Sequence, residues 1–176
     1  IAGKSGFAID ADCAADAAAA EFAEFAAGGG LRTKSLNDFL FCRAADLCVE
    51  LGVPLQVHAA VVGGSTIRMD LVRPSLLQPF LRHGRGRDLK LVLVHGGFPW
   101  VEEAAMLAVM FPNVWLDTSL FSSFLPASAA PKLLAMLRLA PASRILYASD
   151  AAFIPEMHWF TSIVGREAVA RAVEAL

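Results

Sequence analysis

Four short apolar runs, each entered from a turn and followed by a stretch of helical length, constrain this chain more than any other feature. They cover residues 53–58 (VPLQVH), 89–95 (LKLVLVH), 114–118 (VWLDT) and 144–149 (RILYAS). Each run is nearly continuous rather than alternating, the pattern of a strand covered on both faces, and such strands are parallel. Turn-forming residues introduce them: Gly52 before the first, Pro112-Asn113 before the third, and Pro141-Ala142-Ser143 before the fourth.

The intervening stretches read as helices. Residues 10–27 are Ala-rich, with Asp10 or Asp12 as N-cap and Gly28-Gly29-Gly30 as the stop. Residues 35–52 place Leu36, Phe39, Leu40, Leu47 and Leu51 near helical spacing behind a loose Ser35/Asp38 capping box. Pro74 and Pro79 predict a broken helix over 70–81, because proline is tolerated only in a first turn. Further helices are expected over 99–111, 131–139 and 155–176. With an opening strand stub at residues 1–4, the count reaches five strands, whereas a closed (β/α)8 barrel needs eight. A partial barrel and a smaller doubly wound sheet both satisfy this pattern.

Composition excludes several classes. The 176 residues carry 56% hydrophobic and 18% charged residues, enough for one globular domain over 1–176. A net charge of -2 offers no field for nucleic acid or an anionic membrane surface. The basic segment Arg82-His83-Gly84-Arg85-Gly86-Arg87 reads as a solvated loop. No apolar run approaches the ~18 residues of a membrane span. Cys13, Cys42 and Cys48 are odd in number and lack Cys-x-x-Cys spacing, which points to a reducing, cytoplasmic setting. The chain opens at Ile1 without Met and is expected to be a portion of a longer protein.

Three of the strands end on residues that can hold a metal or move a proton: His58, His95 and Asp150. The C-terminal ends of parallel strands are where α/β folds gather their chemistry. A neutral imidazole at such an end is a good ligand for zinc, iron or manganese, and the competing reading is a core histidine bonded to a carbonyl. Gly96-Gly97 after His95 lets backbone approach a ligand closely. Asp150 can ligate a metal, exchange a proton, or simply cap the next helix. Asp117 ranks below it, as a strand carboxylate bonded by neighbouring Thr or Ser. His83 and His158 lie outside the strand-end pattern, and Lys4 is a candidate anion-binding or carbamylated lysine. The segments 59–69 and 120–130, with Phe121, Phe124 and Trp100, are expected to line the mouth of the site.

Gln56-Val-His58, Val94-His-Gly-Gly-Phe-Pro-Trp100, Phe111-Pro-Asn-Val-Trp-Leu-Asp-Thr-Ser119 and Ile145-Leu-Tyr-Ala-Ser-Asp150 resemble successive blocks of the amidohydrolase-related metal-dependent hydrolases. The likeness is nearest to the bacterial and fungal group sometimes fused to a glutamine-synthetase-like domain. The resemblance implies a (β/α)8 TIM-barrel fold, here a partial barrel from about strand 4 to strand 8. It implies His58 as ligand of a divalent metal, zinc or else manganese or iron. His95 would polarise the substrate or ligate a second ion, and Asp150 would be ligand and proton shuttle. The family's His-x-His pair occurs nowhere in this sequence, and Lys4-Ser5 runs directly into Gly6-Phe7 without the usual Tyr- and Arg-containing segment.

The expected activity is hydrolysis of a C–N or ester bond in a small molecule, by attack of activated water on a carbonyl or imine carbon. The alternatives are a nonhydrolytic metal-dependent decarboxylase and a truncated, noncatalytic barrel fragment. Exposed sheet edges would favour a homo-oligomer.

Overall fold

A computed structural model describes residues 6–29, 33–60 and 67–176. The Ala-rich stretch forms helix α1 (Ala15–Ala26), stopped where Gly28 takes the left-handed conformation at φ +76. It begins later than expected. Asp10 accepts the Asp12 N–H in a local turn ahead of the helix, so neither aspartate caps it, and Ala14 is the N-cap. Helix α2 (Lys34–Glu50) starts behind Thr33 rather than Ser35. Asp38 is no capping-box partner: its buried carboxylate accepts the backbone N–H of Asp10 at 3.0 Å and pairs with Lys34, tying the chain ahead of α1 to α2.

The described strands are β1 (Leu55–His58), β2 (Leu91–Val94), β3 (Val114–Asp117) and β4 (Ile145–Leu146). They pair in parallel and in chain order, β1-β2-β3-β4. This order decides between the two architectures. A doubly wound sheet reverses direction at a switch point, whereas right-handed crossovers between strands in unbroken sequence lay every helix on the same face. The sheet is an arc of an α/β barrel. The strand stub expected at residues 1–4 lies outside the described residues.

Register shows which face is which. Leu55, Leu91 and Val114 are paired neighbours, as are Val57, Leu93, Leu116 and Ile145, and nearly all of them are buried on the helix-covered face. Each such leucine contributes ~1.5–3 kcal/mol of burial. The alternate residues Gln56, Val92 and Trp115 point to the concave face. There Gln56 is exposed, and Trp115 is half-buried beneath the Arg144 guanidinium at 4.6 Å. Cover on this face is therefore uneven: Val92 on β2 is buried, while Gln56 on β1 is exposed.

Between β1 and β2 the prolines divide the expected 70–81 helix into single turns at Met69–Leu71 and Pro74–Leu77 and the short helix α3 (Gln78–Arg82). The basic segment is not a loop. It folds into α4 (Gly84–Asp88), where Gly86 sits so close to α3 that an added Cβ would lie 2.1 Å from the Phe80 carbonyl oxygen. His83 caps this turn by accepting the Arg85 N–H. Helices α5 (Val101–Met110), α6 (Phe121–Phe124), α7 (Ala129–Leu139) and α8 (Pro155–Glu174) complete the outer layer, with α7 packed between α5 and α8.

Candidate functional site

His58 is the last residue of β1 and shares the concave face with Gln56, two positions before it. The adjacent strand delivers His95, which stands just past β2 at φ 67, the first of three successive left-handed residues with Gly96 and Gly97. This turn is tight. A Cβ on Gly96 would meet the Phe121 ring at 3.0 Å, and one on Gly97 would lie 2.5 Å from Ala104 Cβ and 2.9 Å from Pro74 Cγ. The glycines therefore let the chain bend between α5 and the start of α6, and the bend returns the His95 ring to the sheet edge.

The rings of His58 and His95 meet edge to face, with centroids 4.7 Å apart at 78°. Burial pushes the His58 imidazole below its ordinary titration range, and the neighbouring His95 adds to that effect. His58 therefore favours the neutral form, which has a lone pair to give.

Asp117, ending β3, holds His95 from beneath. Its Oδ1 accepts the His95 backbone N–H at 2.8 Å and the Ser119 backbone N–H at 3.0 Å, and it also bonds Ser119 Oγ. Ser119 Oγ in turn lies 2.8 Å from His95 Nδ1. His95 and Asp117 are only 6% and 9% exposed, so these bonds have little competition from water. Asp117 thus has Ser119 as its side-chain partner, as the sequence suggests, and also fixes a site histidine. Ser119 carries no strand-end mark of its own; the sequence signal for it is the run of three polar residues Asp117-Thr118-Ser119 after an apolar strand.

Asp150 reaches the same place by a different route. The expected strand over 144–149 is shorter, because Thr118 Oγ1 donates to the Ala148 carbonyl at 3.1 Å and accepts the Ala148 N–H at 3.0 Å. A side chain replaces the next backbone rung and ends β4 at Leu146. Asp150 then follows at φ 56, with Oδ2 4.0 Å from His95 Nδ1. It does not cap α8, whose N-cap is Ile154.

His58 and His95 meet ring to ring and Asp150 stands beside His95, so the three strand-end candidates lie along one rim without closing on a common point. Two imidazoles, one of them favoured neutral, and a carboxylate are donor types suited to a divalent zinc, manganese or iron. They fit in kind but fall short in number: among the described residues no three His, Cys, Asp or Glu side chains converge as a metal-holding group. Other candidates stand elsewhere. His83 caps α4 and lies 3.3 Å from Asp12, and His158 is exposed on α8. Lys4 lies outside the described residues. Phe121 does not line the mouth, being 2% exposed in the core, while Trp100 packs partly buried against that core and Phe124 is exposed.

Known proteins share the sequence pattern and the fold. The sequence matches the amidohydrolase family over residues 27–175. It is 30% identical over 142 residues to Protein fluG of Emericella nidulans, covering 77% of this chain and 16% of that protein. A solved structure from Lactobacillus casei, given the provisional name of metal-dependent hydrolase, is 32% identical with a TM-score of 0.85 over 94% of this chain and 44% of its own. The chain therefore spans less than half the length of either relative.

Proposed function

The chain belongs to the amidohydrolase family, and from that premise we propose that it supplies the later strand-end half of a metal-dependent hydrolase site. His58 and Asp150 are the ligands of a divalent ion in this reading, with zinc first and manganese or iron as substitutes. His95 serves as a second ligand or as the group that polarises the substrate. The observation that carries the proposal is the meeting of the His58 and His95 rings at 4.7 Å with Asp150 beside His95, from three separate strand ends.

A bound divalent ion supplies a water acidified for attack on a carbonyl or imine carbon, and a Lewis acid for its oxygen. The protein's own residues would prepare that chemistry. Burial keeps His58 neutral and ready to donate its lone pair. Asp150, partly exposed at the rim, is placed to take a proton from an attacking water and return it to a leaving amine or alkoxide. Gln56 is exposed on the same face as His58, where a small molecule bearing an amide, ester or lactone bond would approach.

Calorimetric titration of zinc into the purified chain tests this reading. Wild type should bind one ion, and His58→Ala and Asp150→Ala should each weaken binding at least tenfold, about 1.4 kcal/mol. Absence of binding by wild type, or identical titrations for all three proteins, would overturn it.

A further inference from the structure

The supply of protons around His95 determines which ring nitrogen is chemically available. Asp117 Oδ1 accepts two backbone N–H groups, from His95 and Ser119, and also contacts Ser119 Oγ. Two oxygens in such contact need a proton between them. The oxygen already receiving two N–H bonds is the acceptor, so the serine hydroxyl is the donor. A serine hydroxyl carries one proton and two lone pairs. With its proton directed at Asp117, Ser119 Oγ can only accept from its other partner, His95 Nδ1 at 2.8 Å.

We propose that Ser119 is a positioning residue that holds His95 in the Nδ1–H tautomer, leaving the Nε2 lone pair free for a cation or a proton. A second group favours the same arrangement independently. Asp150 Oδ2 stands 4.0 Å from Nδ1, beyond hydrogen-bond reach but close enough for its negative charge to favour a proton on that nitrogen. The backbone bond from His95 to Asp117 keeps the ring's base from turning away, so the imidazole is fixed at both ends of its attachment.

The consequence deepens the proposed function and rests on it for the use made of the lone pair. Of the two roles given to His95, this tautomer excludes polarising the substrate. A neutral ring with its hydrogen on Nδ1 has no N–H at Nε2 to offer a developing oxyanion, whereas it has an acceptor there. His95 then acts as ligand or base, and polarising the substrate falls to another group.

Ring tautomers are read directly by long-range 1H–15N correlation on the 15N-labelled chain, without added metal and at mildly alkaline pH, with His95→Gln to assign the signals. Wild type should show His95 protonated at Nδ1 and bare at Nε2. Ser119→Ala should lose that single pattern in favour of an averaged or reversed pair, and Ser119→Thr, which keeps the hydroxyl, should restore it. A wild-type ring protonated at Nε2, or an unchanged pattern in Ser119→Ala, would overturn the proposal. A wild-type ring protonated at Nε2 overturns the proposal even if Ser119→Ala fails to fold. Because no metal is present, this result and the zinc titration succeed or fail separately.

Discussion

Replacing Asp117 by alanine removes the acceptor shared by three donors, the backbone N–H groups of His95 and Ser119 and the Ser119 hydroxyl. Each buried donor left without a partner costs about 1–3 kcal/mol. Simple addition would give up to about 9 kcal/mol, but neighbouring losses do not add, and water can enter the space the carboxylate leaves. His95 sits at φ 67, a conformation that disfavours a side chain by about 1–2 kcal/mol and that Asp117 helps to hold, so relaxation of this turn in the variant offsets part of the loss. The expected loss for Asp117→Ala is therefore about 3–5 kcal/mol. Asp117→Asn keeps an oxygen in place and exchanges charge-assisted bonds for neutral ones, so its loss should be smaller, about 1–3 kcal/mol. Urea unfolding measures both, as shifts in midpoint at constant slope. An Asp117→Ala variant within about 1 kcal/mol of wild type, or equal to Asp117→Asn, would refute the reasoning.

Two other outcomes follow from the same turn and the same ring pair. Gly97→Ala should destabilise the chain by about 2–4 kcal/mol, since it combines φ +72 with a contact 2.5 Å from Ala104 Cβ, and a melting temperature equal to wild type would contradict it. For His58, burial and then His95 lower the folded-state affinity for a proton. The unfolded chain therefore binds the proton first, so stability is complete above the ordinary histidine value of about 6.5 and falls as pH drops below it, levelling once folded His58 also protonates. His58→Gln should flatten this acid-side slope, and parallel stability curves for the two proteins would refute the assignment.

The strands were legible because a buried parallel strand leaves a local mark, a short apolar run between turn residues. The rim residues were legible for the same reason: His58, His95 and Asp150 each interrupt or follow such a run, and the structure brings them together. What escaped was decided by partners distant in sequence. β4 ends early because Thr118 bonds Ala148 from 30 residues away. Asp38 abandons a capping role because its buried carboxylate meets the Asp10 backbone 28 residues earlier. The segment around Gly84 and Gly86, poor in helix propensity, becomes helical because its backbone packs against the Phe80 carbonyl. Phe121 reads as a mouth residue from its loop-like surroundings, yet it packs against the Gly96 turn and is buried.

These contrasts bear on the site itself. The identity of a strand-end residue is local information, but its protonation pattern is not. His95 alone says that an imidazole stands at the rim. Asp117 and Ser119, arriving from the next strand, together with Asp150, set which of its nitrogens carries the hydrogen in the proposed arrangement.

Crystals of the chain grown with zinc, measured at the zinc absorption edge, test the central claim most directly. The account predicts an anomalous peak between His58 and His95, within coordination distance of a nitrogen on each ring and close to Asp150, and its loss in His58→Ala. A peak confined to His83, His158 or the cysteines, with the strand-end rim empty, would contradict it.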